Sequence, residues 1–85
     1  MTTSHGTLSE GTLGLLQLTG TSYEVVYDRL QFRYHVHLVK RVGSLPYRIV
    51  QLVDENVTPE QFDDLVRMML GRLLERIKEE DRHGL

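Results

Sequence analysis

Two histidines, His35 and His37, stand two residues apart in a stretch rich in β-branched and aromatic residues. Residues two apart on a strand point to the same face, so the pair could act together on a metal or a proton. A stable zinc site wants three or four ligands. The chain has no cysteine, and the residues expected across the neighbouring strand, Leu52 and Val50, are aliphatic. Neither a metal nor a cofactor is therefore expected, although the pair titrates near neutrality and could make binding sensitive to pH. Nucleophilic catalysis is equally unsupported. A nucleophile needs a base within hydrogen-bond reach, and Ser4, Ser9, Ser22 and Ser44 fall in segments that read as arm or turn. Gly6, Gly11 and Gly14 precede what reads as a strand, whereas a phosphate-binding loop opens a helix. The acidic run Asp54, Glu55, Glu60, Asp63 and Asp64 lacks calcium-loop spacing, and acids at a helix N-terminus are what the helix dipole favours. The chain is expected not to be an enzyme.

Composition narrows the classes further. Eighty-five residues make one domain, small enough that self-association is a natural source of stability once disulfides are absent. Net charge is −2, so no global field draws the chain to nucleic acid or anionic lipid. The charge is unevenly spread. Residues 23–53 carry Arg29, Arg33, Lys40, Arg41 and Arg48 against Glu24 and Asp28, a local +3, and residues 54–66 carry five acids and no base, a local −5. No apolar run approaches a membrane span, the first residues do not read as a secretory signal, and the lack of cysteine fits a reducing, cytoplasmic setting.

Which elements would position these side chains? Residues 1–11 are small and polar and read as a flexible arm; residues 12–82 read as the domain. Between Leu13 and Val53 the pattern predicts four strands, Leu13–Thr19, Ser22–Tyr27, Leu30–Val42 and Leu45–Val53, turning at Gly20-Thr21, Asp28-Arg29 and Gly43-Ser44. These turns set Leu38 opposite Ile49, Val36 opposite Gln51 and Tyr34 opposite Val53. They also set Phe32 opposite Val25, Tyr34 opposite Tyr23, Leu16 opposite Val25 and Glu24 opposite Arg33. One inner face results, carrying Leu16, Leu18, Tyr23, Val25, Tyr27, Leu30, Phe32, Tyr34, Val36, Leu38, Tyr47, Ile49 and Val53. The expected fold is α+β, a four-stranded antiparallel meander packed on one C-terminal helix. A three-stranded sheet is the variant if the first strand, interrupted by Gly14, stays unpaired.

The helix is announced by Thr58-Pro59-Glu60-Gln61, an N-cap, an N1 proline and a capping-box partner. Phe62, Leu65, Val66, Met69, Leu70, Leu73, Leu74 and Ile77 follow at helical spacing, predicting a helix from Pro59 to Asp81. Leu65 and Leu74 bound an apolar arc of about 180°, wider than the ~100° of an ordinary surface helix. A flank of Leu65, Met69, Leu70 and Leu74 is therefore expected to meet a second copy in a homodimer.

The outer face of the sheet is the other surface with spare character. It is expected to carry Leu13, Leu15, Gln17, Val26, Gln31, Arg33, His35, His37, Val39, Arg41, Arg48, Val50 and Leu52. Aliphatics mixed with bases suit an interface, and Leu15, Arg33, His35, His37, Arg41, Arg48, Val50 and Leu52 are the candidate docking residues. From Phe32 to Ile77, a hairpin followed by Thr58-Pro59-Glu60-Gln61-Phe62 and a helix, the layout resembles the single-stranded DNA binders of the PC4, PUR and Whirly families. That resemblance covers topology over about half of the chain. It implies helices packed together in a dimer and an open sheet face presented to single-stranded nucleic acid, with Arg33, His35, His37, Arg41 and Arg48 as contacts. Against it, the aromatics are expected to point into the core, where they offer bases no stacking surface. The leading expectation is a non-catalytic protein-interaction or regulatory module that works as a homodimer; the alternative is a single-stranded nucleic-acid binder.

Overall fold

A computed structural model describes residues 8–83. The order of elements is α1 (Glu10–Leu18), β1 (Thr21–Asp28), β2 (Arg33–Val42), β3 (Leu45–Asp54) and α2 (Pro59–His83). The fold is α+β, with a three-stranded antiparallel sheet in the order β1-β2-β3 and a C-terminal helix. The expected first strand, Leu13–Thr19, is instead the helix α1. Ser9 caps it, its hydroxyl oxygen accepting from the Thr12 N–H at 3.2 Å, Glu10 sits favourably in the first turn, and Gly20 follows at φ 64° to let the chain leave. Helical spacing buries Thr12 and Leu16 one turn apart, while Leu18, expected inside, is 83% exposed. Of the expected N-terminal arm, residues 1–7, with Ser4 and His5, lie outside the described residues; Leu8 is buried and Ser9, Glu10 and Gly11 belong to the cap and first turn of α1.

The β2–β3 hairpin has the expected register, with Leu38 opposite Ile49, Val36 opposite Gln51 and Tyr34 opposite Val53. Gly43 supplies the positive φ, 65°, that a two-residue hairpin turn needs. The β1–β2 register differs by four residues. Val25 pairs with Val36, Tyr23 with Leu38 and Tyr27 with Tyr34. The connection is a loop of Arg29, Leu30, Gln31 and Phe32, held by Asp28, whose carboxylate accepts the N–H groups of Leu30 (2.9 Å) and Gln31 (3.2 Å). A shift by an even number keeps every side chain on its face, so the inner assignments of Tyr23, Val25, Tyr34, Val36 and Leu38 stand. Leu30 and Phe32, expected inside, lie in the loop, 90% and 60% exposed. Glu24 faces His37 across the strands, and the partners of Arg33 are Asp28 and Asp54, not Glu24.

The inner face is covered by α2, with α1 packed against β1 and α2. The capping box forms: Gln61 N–H donates to Thr58 Oγ and Thr58 N–H to Gln61 Oε1, both at 3.1 Å. Val36, Leu38, Phe62, Val66, Met69 and Leu73 are fully buried. Sealing such side chains contributes about 1.5–3 kcal/mol each before entropy is counted. The wide apolar arc of α2 is closed in part by α1. Met69 and Leu70, expected on a dimer flank, are buried in the chain's own core, and Leu65 and Leu74 are half-buried against it. No described helix is long and apolar enough to cross a membrane.

Candidate interaction face

Alternation along three paired strands fixes the second face of the sheet, on which no described helix packs. Its rows follow from the register. Asp28, Arg33 and Asp54 share one row; then come Val26, His35 and Leu52; Glu24, His37 and Val50; Ser22, Val39 and Arg48; and Arg41 with Pro46 at the far end. Val26, Val50 and Leu52 are 43–47% exposed. The register thus places Arg33, His35, His37, Arg41, Arg48, Val50 and Leu52 on this one face. Leu15 is elsewhere, along with Leu13 and Gln17: they ride on α1, which packs against α2 on the covered side of the sheet.

Two polar contacts on this face involve the histidines. His35 Nε2 lies 3.3 Å from Asp28 Oδ2. Desolvation pushes the Asp28 carboxyl up, but the N–H groups of Gln31 and Leu30 and the His35 ring outweigh it and hold the group below its ordinary value. Arg48 Nη1 stands 3.0 Å from His37 Nδ1. A guanidinium only donates, so Nδ1 accepts and a neutral His37 carries its proton on Nε2. The expectation that the histidines lack carboxylate neighbours is therefore corrected: the four-residue change of register delivers Asp28 to His35 and Glu24 to the strand position opposite His37. Ser22 lies one row from His37 and two rows from His35. Among the described residues no three potential ligands gather for a metal.

One end of the face continues into the β1–β2 loop, where Leu30 and Phe32 project. Phe32 adopts φ 56°, a conformation that costs an ordinary side chain roughly 1–2 kcal/mol. A cavity of about 250 Å³ lies beside it, lined by Gln31, Phe32, Arg33, Leu52, Val53 and Asp54. This apolar tip was missed in the sequence because Leu30 and Phe32 continue the alternation of β2. The available signal was Asp28, whose side chain can cap the N–H groups two and three residues on.

A second polar cluster lies on the covered side. Asp63 accepts from Ser9 N–H (2.9 Å), Thr12 Oγ1 (2.8 Å) and Ser9 Oγ (3.2 Å), while Arg67 Nε donates to Thr12 Oγ1 at 2.7 Å. The Ser9 N–H leads the interactions that hold the Asp63 carboxyl below its ordinary value; desolvation opposes it, and Thr12, Ser9 Oγ and Arg67 reinforce it. With its donors and acceptors matched and Thr12 fully buried, the cluster is a clamp that fastens α1 to α2. Comparison with protein-family models, with curated proteins and with solved structures finds no match to this chain.

Proposed function

We propose that this protein is a non-catalytic protein-interaction module, acting as a homodimer, that docks a protein partner on the open face of its sheet and on the adjoining Leu30–Phe32 tip. The observation that carries this reading is the composition of that face: Val26 on β1 and Val50 and Leu52 on β3 stand exposed on either side of His35 and His37, among side chains of both signs. Arg33, Arg41 and Arg48 are matched in number by Glu24, Asp28 and Asp54. Exposed aliphatics interspersed with polar groups of both signs suit a protein interface. A polyanion calls for a groove of one sign and aromatic platforms. Here Arg33 stands between two aspartates, while Tyr23 packs edge-on against Phe62 beneath the sheet.

The test is a quantitative comparison of proteins captured by the wild-type chain, by Leu52→Glu and by Met68→Glu, which alters an exposed residue of α2. A partner retained by the Met68 variant and lost by the Leu52 variant is the expected result; equal capture by all three removes the open face as the docking site. In parallel, anisotropy of a labelled single-stranded oligonucleotide is expected to show no binding at low salt. Binding that weakens with salt and disappears in Arg33→Ala/Arg41→Ala would favour nucleic acid instead.

A further inference from the structure

From the pattern of its third strand we propose that the chain dimerises edge to edge, β3 pairing antiparallel with β3 of a second copy about a two-fold axis at Gln51, to make one continuous six-stranded sheet. This inference does not depend on what docks on the open face.

Three observations lead to it. β3 is an edge strand: it pairs with β2 on one side and with no described strand on the other. The middle of that edge is also unprotected, Pro46, Arg48 and Asp54 lying to either side of it. Residues 49–53, Ile-Val-Gln-Leu-Val, hold neither charge nor proline, although charges, prolines and bulges are how edges are normally guarded against pairing.

The third observation selects the partner. Along the open face β3 presents Arg48, Val50, Leu52 and Asp54, all exposed. Read in reverse, that row is its own complement: base, aliphatic, aliphatic, acid. Antiparallel pairing centred on Gln51 sets Arg48 against Asp54 and Val50 against Leu52 of the second copy, and on the covered face Ile49 against Val53. Opposed pairs of this kind are the stabilising unit of a sheet. Moving the centre by one residue either way sets Val50 against itself and Arg48 against Leu52, or Val50 against Asp54. A half-residue shift sets Arg48 against Val53, or Asp54 against Ile49. Only the centre at Gln51 matches charge with charge. Arg48 can contribute, because a guanidinium has five N–H donors and the contact to His37 occupies one. Because pairing residues stay on one side of the sheet, the four helices of the dimer share one face and the open faces join into a single wider surface.

The experiment uses the whole chain, with light scattering and sedimentation across a concentration series. The wild type is expected to be a dimer. Arg48→Asp and Asp54→Arg are each expected to weaken it by about tenfold or more, since two attractive pairs become repulsive. The double variant Arg48→Asp/Asp54→Arg, and an equal mixture of the two single variants, are expected to recover it. A second variant needs no change of charge. The chain has no cysteine, so Gln51→Cys carries one thiol on the proposed axis, where facing Cα atoms about 4.5–5.5 Å apart lie in disulfide range. It is expected to cross-link under mild oxidation far faster than the loop control Gln31→Cys. A monomeric wild type overturns the inference, as does a dimer that Arg48→Asp leaves intact. So does a dimer in which Gln51→Cys cross-links no faster than the control, the result expected if the sheets instead stack by their open faces, with Gln51 on the covered side.

Discussion

Strand β2 sets two regions of the molecule back to back. Tyr34, Val36 and Leu38 are buried beneath the helices, while His35, His37 and Val39, interleaved with them, are half-exposed. The backbone and the strand are the same, so the difference lies in what stands opposite. The covered face meets a closely packed helix and is intolerant of lost volume. The open face meets solvent and is free to hold charges, imidazoles and aliphatics in combinations that suit a partner. Stability should therefore depend on one set of alternate residues and recognition on the other.

The sharpest way to break this division is at a fully buried position. Leu38→Ala is expected to destabilise the chain by about 2–5 kcal/mol, the cost of a core cavity, measured by urea unfolding. Next comes the clamp. Asp63→Asn is expected to lower stability at neutral pH and to change its response to acid. The Asp63 carboxyl titrates below its ordinary value of 3.8 in the folded chain. Its contribution is therefore complete above that value and is lost as pH falls through the lower, folded value. The variant should lose less stability than the wild type as pH falls below about 4; an identical acid limb would show that the clamp contributes nothing.

At the tip the sign reverses. Phe32→Asn is expected to raise stability by up to about 1 kcal/mol, because asparagine accepts positive φ more readily than a bulky side chain, while partner binding is weakened. Smallest of all, Leu52→Gln on the open face should change stability by no more than about 0.5 kcal/mol, measured by the same urea titration. A loss comparable to that of Leu38→Ala would mean that the two faces are not independent.

Much of the scaffold was legible because its signals are local. A glycine at the two-residue turn fixed the β2–β3 register, and Thr58 through Gln61 fixed the start of α2. The errors came where local signals competed. Leu13-Gly14-Leu15 and Leu16-Gln17-Leu18 each alternate as a strand would, and Gly11 and Gly14 argue against a helix, yet Ser9 and Gly20 bracket a helix of ordinary length. At the β1–β2 connection, Asp28 sets the loop through its side chain, so counting strand periodicity past it placed Leu30 and Phe32 inside. The open-face residues of β2 and β3 survived because parity, not exact register, decides which side a strand residue takes. The clamp had no local signature, since Thr12 and Asp63 are 51 residues apart.

That separation has a kinetic consequence. The hairpins and the turn into α2 close short loops, whereas α1 is held by partners on α2 more than 50 residues along the chain. Closing a long loop costs chain entropy that only the finished core repays. The first helix in sequence should thus be the last to settle during folding and the first to exchange its amide protons, detaching as a unit while the hairpin and α2 stay shut.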